Sequence, residues 1–325
     1  MRKTLDLVSL AAVLACVACG GPSVQQSASS AMPTKDTTQL GSPKGPTAPS
    51  ANPSGGPAPA APASQPNYGI VTFYLAVGVN GGAAAVLDLV QYVVSLPPTH
   101  CSGNSCVWQG SGTADPVTWR LTVSETAGVY TYDLDGAAKS DLTATFKNVV
   151  HGTATPSGIP HRGTGAFTVS FDNAYALNPL STDRGTIDFT YDNSVVGQAK
   201  LDVVAHHTVS KDPADSGALM NAKYTFKEDG KGGGDLDVGV YNVTTTGSFS
   251  LNSQWVAGGA GSAAVSAHVP GALIDPITEA QCWDTAAITI SYWFSNDTTD
   301  LGANSGASSA CVIAPAPGSN VAAID

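Results

Sequence analysis

Six cysteines, six histidines and a scatter of carboxylates are the side chains from which this chain could build chemistry. Four of the thiols, Cys101, Cys106, Cys282 and Cys311, lie in the body of the sequence. In an oxidising compartment four such thiols make two bridges, and three pairings are open. Proximity favours Cys101–Cys106, around Ser102-Gly103-Asn104-Ser105, and Cys282–Cys311, stapling the C-terminal region. Loop-closure entropy gives these bridges about 2 and about 4 kcal/mol. The competing use is a metal or redox site. The spacing of Cys101 and Cys106 is not the two-residue gap of a redox or zinc pair, and no pair of histidines stands near them. Bridges are therefore expected, with no metal and no cofactor.

The other reactive groups do not converge. Among His100, His151, His161, His206, His207 and His268 there is no HExxH pattern, and the adjacent His206 and His207 would face opposite sides of a strand. His161, beside Arg162, reads as a loop residue. A nucleophile elbow of the G-x-S-x-G type is absent. Asp172, Asp188 and Asp192 could work as an acid–base pair, but carboxylates at strand ends are ordinarily solvated turn residues. Lys231-Gly232-Gly233-Gly234-Asp235-Leu236-Asp237 resembles one glycine–aspartate calcium repeat without the stacked copies such a site needs, so it reads as a hairpin tip. No catalytic residue is assigned. A net charge of −11 argues against nucleic acid, whose phosphates need neutralising, and against a basic membrane-binding face.

The elements that hold these residues begin with an export signal. Met1-Arg2-Lys3 is cationic, and Leu7 to Ala18 is apolar but too short to span a bilayer. The run ends in Leu14-Ala15-Cys16-Val17-Ala18-Cys19-Gly20-Gly21, which resembles the lipobox of signal-peptidase-II lipoprotein precursors. Val17-Ala18-Cys19 matches the last three positions, while Cys16 stands where the family prefers Leu. Cys16, after Val13-Leu14-Ala15, is the alternative acceptor, and Asp6 close to the apolar run is a further departure. The resemblance implies removal of residues 1–18, acylation of Cys19 with three chains (palmitate among them) and a durable membrane anchor. Gly20 in place of Asp favours the outer membrane by the same likeness. The pattern also resembles envelope lipoproteins of large-genome Gram-negative bacteria such as myxobacteria.

Residues 19–67 are Ser, Pro, Ala, Thr and Gly with almost no large apolar side chain, so a disordered tether is expected, with a reach of about 40 Å. Residues 68–325 read as a single β-rich domain. After an apolar stretch from Ile70 to Val79 and Gly81-Gly82, one apolar helix is expected from Ala83 to Leu96, stopped by Pro97-Pro98. Beyond it the chain alternates with period two. Val117/Trp119/Leu121/Val123, Tyr130/Tyr132/Leu134, Leu142/Ala144/Phe146 and Phe167/Val169/Phe171 are followed by Ile187/Phe189/Tyr191, Leu201/Val203/Ala205, Leu236/Val238/Val240, Phe249/Leu251 and Ile288/Ile290/Tyr292. Asp135-Gly136, Asp192-Asn193, Asp229-Gly230 and Gly258-Gly259 read as turns.

Roughly a dozen strands predict a mainly β fold. The first choice is an antiparallel meander forming a barrel or half-barrel, and a two-sheet sandwich is the alternative. In phase, Trp119 belongs to the core and Trp293 to the opposite, exposed face, while Trp283, beside Cys282, should pack on the disulfide. The function expected first is a lipid-anchored envelope protein, on the periplasmic or surface face, with a non-enzymatic binding or scaffold domain. A carrier of lipid or another hydrophobic ligand comes second, and a hydrolase of envelope polysaccharide or peptide third. Partners are the membrane, through the anchor, and a hydrophobic or saccharide ligand.

Overall fold

The computed structural model describes residues 22–32, 66–113, 115–140, 143–178, 183–209, 217–284, 290–297 and 303–315. The expected export signal, Cys16, Cys19 and most of the expected tether lie outside the described residues. Within the tether, however, Pro22–Ala31 forms a ten-residue helix, α1. It buries Ala28, Ala31 and the following Met32, and Gln25 Nε2 donates to Leu96 O at 2.7 Å. Small apolar side chains and one well-placed amide are enough to dock a segment whose composition alone reads as disordered.

The long helix α2 spans Tyr68–Ser95, 28 residues. The expected helix from residue 83 is therefore only its second half, and the apolar stretch before it is helical too. Asn67 caps the start: its side chain accepts from Ile70 N at 3.1 Å. Gly81 and Gly82 weaken a helix by about 1 kcal/mol each but remove no backbone bond, so the helix passes through them. Pro97 and Pro98 then end it, as expected.

Fifteen strands among the described residues form one antiparallel meander, in which each strand pairs with its neighbours in chain order and the sheet does not close. A single sheet takes the place of the two-sheet alternative. The chain's contacts divide it into two compact units: residues 1–38, 83–195 and 205–209, and residues 39–82, 196–204 and 210–325.

The first unit holds β1 (His100–Ser102), β2 (Ser105–Gly110), β3 (Val117–Thr126), β4 (Val129–Ala138), β5 (Lys147–Pro156), β6 (Gly163–Ser170), a short helix α3 (Phe171–Leu177) and β7 (Thr186–Asp192). The expected strand at Leu142/Ala144/Phe146 does not form. Leu142 lies outside the described residues, Ala144 and Phe146 precede β5, and the Phe146 ring lies 4.0 Å beneath the Arg120 guanidinium. Phe171, expected to end a strand, opens α3, capped by Ser170 Oγ. Cross-strand rows build the buried face. Val123, Tyr132, Gly152, Phe167 and Phe189 are successive partners, and so are Leu121, Leu134, Val150 and Val169. Phe167 and Phe189 stack at 4.4 Å.

The second unit holds β9 (Leu219–Glu228), β10 (Gly234–Asn242), β11 (Ser248–Trp255), β12 (Gly261–His268), β13 (Ile277–Trp283), β14 (Ile290–Ser295), β15 (Ser305–Gly306) and a 3₁₀ turn at Ser308–Ala310; β8 (Lys200–Val209) has residues in each unit. Its buried face mixes polarity. Phe226, Leu236, Ser253, Ala263, Gln281 and Trp293 form one row, and Tyr224, Val238, Leu251, Val265, Glu279 and Ser295 the next.

Trp293, expected on the exposed face, is fully buried. Ile290 pairs with Trp283 while Tyr292 pairs with Cys282, so Ser291 is an extra residue that inverts the alternation. The strand begins only at Ile290, and Ile288 lies outside the described residues. Trp283 is buried and donates from Nε1 to Gly259 O at 2.8 Å. Trp119 keeps the expected phase but is only half-buried, and its Nε1 donates to Asp115 Oδ2 at 3.0 Å. Both expected cysteine pairs stand at disulfide distance, Cys101 with Cys106 and Cys282 with Cys311.

Candidate functional site

The reactive side chains picked out in the sequence settle into separate surface pairs. His151 Nδ1 lies 2.7 Å from Asp133 Oδ1, His206 Nε2 3.6 Å from Asp188 Oδ2, and His268 Nδ1 2.7 Å from Asp275 Oδ1. His161, in the turn after β5, meets Met32 O at 3.0 Å, whereas His100 and His207 are exposed. Asp172 accepts from Gly185 N, Asp188 from Thr168 Oγ1, and Asp192 from Ser194, so the three carboxylates serve three local turns or strand pairs. In the glycine-rich tip between β9 and β10, Asp229 accepts from the backbone N–H of Lys231 and of Gly233. These donors hold its carboxyl below the usual range. Among the described residues no three His, Cys, Asp or Glu side chains gather into a group that could hold a metal.

Convergent polar groups lie instead on the buried side of the sheet, and α2 positions them. In the second unit the stripe of α2 facing the sheet is Tyr68, Gly69, Thr72, Ala76 and Asn80, spaced by one helical turn. Each polar member meets a side chain from the polar end of the sheet. Tyr68 N donates to Gln281 Oε1 at 2.7 Å, and Gln281 Nε2 donates to Pro66 O at 2.8 Å. The Tyr68 hydroxyl donates to the Glu279 carboxylate. Thr72 Oγ1 donates to Ser253 Oγ at 2.8 Å, and Tyr224 donates to Asn80 Oδ1 at 2.7 Å. Burial, with the charge of Asp297 acting in the same direction, pushes the Glu279 carboxyl up to about 7.

In the first unit the facing stripe of α2 is apolar: Ala83, Ala84, Leu87, Val90 and Val94. Here the polar groups come from the sheet alone. The rings of Tyr132 and Tyr191 lie over Gly152 and Gly165, where any Cβ would collide with them. Trp255 over Gly234 and Trp283 over Gly261 repeat the arrangement in the second unit. Large rings can lie flat on this sheet only because their cross-strand partners carry no side chain.

Four buried donors on this side find no acceptor among the described residues: the hydroxyls of Tyr132 and Tyr191 in the first unit, and Asn80 Nδ2 and Trp293 Nε1 in the second. Burial holds both phenols well above the ordinary tyrosine range, so they remain O–H donors. Of these residues, the sequence reading named the tyrosines and Trp293 only for their apolar surface. It passed over Asn80 and Glu279. The signals that mark them are polar residues at the core phase of a helix or strand: Thr72 and Asn80 in the helix, Ser253, Glu279 and Gln281 in the strands.

No protein family, curated protein or solved structure matches the chain.

Proposed function

We propose that this chain is a lipid-anchored protein of the cell envelope whose β domain binds, without catalysing a reaction, a largely apolar molecule carrying oxygen acceptors. The observation that carries the reading is the pair of buried phenol donors in the first unit, Tyr132 and Tyr191, neither of which has an acceptor among the described residues. A buried N–H or O–H left unbonded costs about 1–3 kcal/mol, and native interiors leave few of them. Donors without acceptors are complementary to ester, carbonyl or ether oxygens, and the apolar rows around them to a hydrocarbon body. The carrier reading, second on the sequence alone, thus becomes the specific form of the binding reading.

The lipobox supports the anchor, and α1 changes what that anchor does. Cys19 stands three residues before Pro22, so an acyl group on it would lie within about 10 Å of a helix docked on the first unit. A domain held in this way works at the membrane surface, not at the end of a long tether. Helix α2 is also long and apolar enough to cross a membrane, and Tyr74 and Val77 on its outward side are exposed.

The test is native mass spectrometry of the full chain, exported in a Gram-negative host and extracted from membranes in mild detergent. The expected spectrum carries an adduct that organic solvent releases as a lipid-like molecule. A bare protein mass from that preparation overturns the binding reading. Loss of metabolic palmitate labelling in Cys19→Ala supports the anchor, and unchanged labelling in the Cys16→Ala, Cys19→Ala double variant overturns it.

A further inference from the structure

Tyr132 and Tyr191 approach each other from opposite sides of the β5–β6 pair. Tyr132, on β4, leans over its cross-strand partner Gly152, and Tyr191, on β7, leans over its partner Gly165. Gly152 pairs with Phe167 and Ala154 pairs with Gly165, so the two glycines are diagonal neighbours on one face. Each hydroxyl therefore sits over one of two neighbouring glycines on the same face. They do not bond each other, yet each lies near enough for a charge on Tyr191 to act on Tyr132. Two donors on one face, neither with a partner among the described residues, can share one acceptor set between them. Phe167 and Phe189, stacked in the same row as Tyr132 and Gly152, make the surroundings apolar.

We propose that Tyr132 and Tyr191 form a two-donor clamp for a single carbonyl oxygen, that of an acyl ester in the apolar ligand. A carbonyl oxygen has two lone pairs and accepts from two donors at once. The glycine floor brings the phenols within reach of it, because a side chain at 152 or 165 would lift either ring. Neither phenol ionises near neutral pH, so the clamp offers only donors and selects for an acceptor. The clamp rests on the binding reading above and names the chemical group that the site takes.

The experiment compares two probes on the full, oxidised chain in detergent micelles: methyl palmitate labelled with ¹³C at the carbonyl, and the alkane with the same number of heavy atoms. The wild type should bind the ester in preference, and its carbonyl stretch should move to lower frequency than in dry hydrocarbon. The Tyr132→Phe, Tyr191→Phe double variant should lose that preference by on the order of tenfold or more while binding the alkane as before. If ester and alkane bind the wild type equally, with an unmoved carbonyl stretch, the clamp is overturned and the carrier reading stands. If neither probe binds the wild type, both are overturned. Should the double variant fail to fold, the infrared shift in the wild type decides alone: present supports the clamp, absent overturns it.

Discussion

The two halves of α2 solve the same packing problem in opposite ways. From Ala83 to Ser95 the helix turns Leu87, Val90, Val93 and Val94 inward, and leaves Tyr92 and Ser95 exposed. From Tyr68 to Gly82 it turns Gly69, Thr72, Ala76 and Asn80 inward, while Tyr74 is 65% exposed and Val77 46%. The second half is an ordinary amphipathic helix, held by burial of aliphatic surface. The first half is inside out, and hydrogen bonds to Gln281, Glu279, Ser253 and Tyr224 replace that surface. Apolar contact is strong but tolerant of sliding, whereas each hydrogen bond fixes one register. The comparison teaches that one helix is secured at one end by area and at the other by direction.

Breaking the two regions should therefore require different substitutions. The second unit, with its mixed interior, leans on the Cys282–Cys311 bridge. Replacing both cysteines by serine should cost about 3–4 kcal/mol from the loop it closes, against about 2 kcal/mol for Cys101 and Cys106. Denaturant titration of the two double variants checks the order, and a reversed order would remove the staple from the account. In the apolar half, Leu87→Ala should cost about 3 kcal/mol, because its side chain is 1% exposed and leaves a cavity. A loss below about 1 kcal/mol would mean that this half of the helix is not secured by area.

The sequence made the second half of α2 legible and the first half nearly opaque, for the same reason. Reading by hydrophobic period assumes that large apolar residues face inward. Leu87, Val90 and Val94 obey that rule. Phe73, Tyr74 and Val77 stand outside the inward stripe, so the true period, Thr72, Ala76 and Asn80, was hidden beneath a general apolarity. The antiparallel meander was legible because Leu121, Tyr132, Phe167, Phe189, Leu201 and Leu236 keep strict alternation. It failed at Trp293, where one bulge residue, Ser291, inverts the phase, and at Phe146, which covers Arg120 instead of joining β5. The disulfide pairing followed from proximity alone. The candidate site was the least legible part, since it rests on polar residues in core phase, such as Glu279, and on rings above glycines. Both depend on register, which a sequence does not print.

Proton uptake separates the halves more finely. The Glu279 carboxyl, raised to about 7 from an ordinary 4.5, keeps its proton in the native state at pH values where the unfolded chain has lost it. Stability should then fall as pH rises from about 4.5 to about 7 and level off above. The drop is roughly 1–2 kcal/mol after discounting for solvent screening. Glu279→Gln should flatten that segment of the stability curve in urea titrations between pH 5 and 8. A slope that persists in the variant would assign the proton to another group.

The smallest effect tests the inversion itself. Thr72→Val keeps the shape of the inward side chain and removes its hydroxyl, so Ser253 loses a donor but still donates to Ser262 O at 3.3 Å. One hydrogen bond is lost without stranding its partner, and the expected cost is about 1 kcal/mol. Tyr74→Ser, on the outward side, should change the stability of detergent-free protein by less than about 0.5 kcal/mol, because little buried area is lost. If Thr72→Val stabilises the protein and Tyr74→Ser destabilises it by more than about 1 kcal/mol, the first half of α2 is held by its apolar face after all. The contrast between its two ends would then disappear.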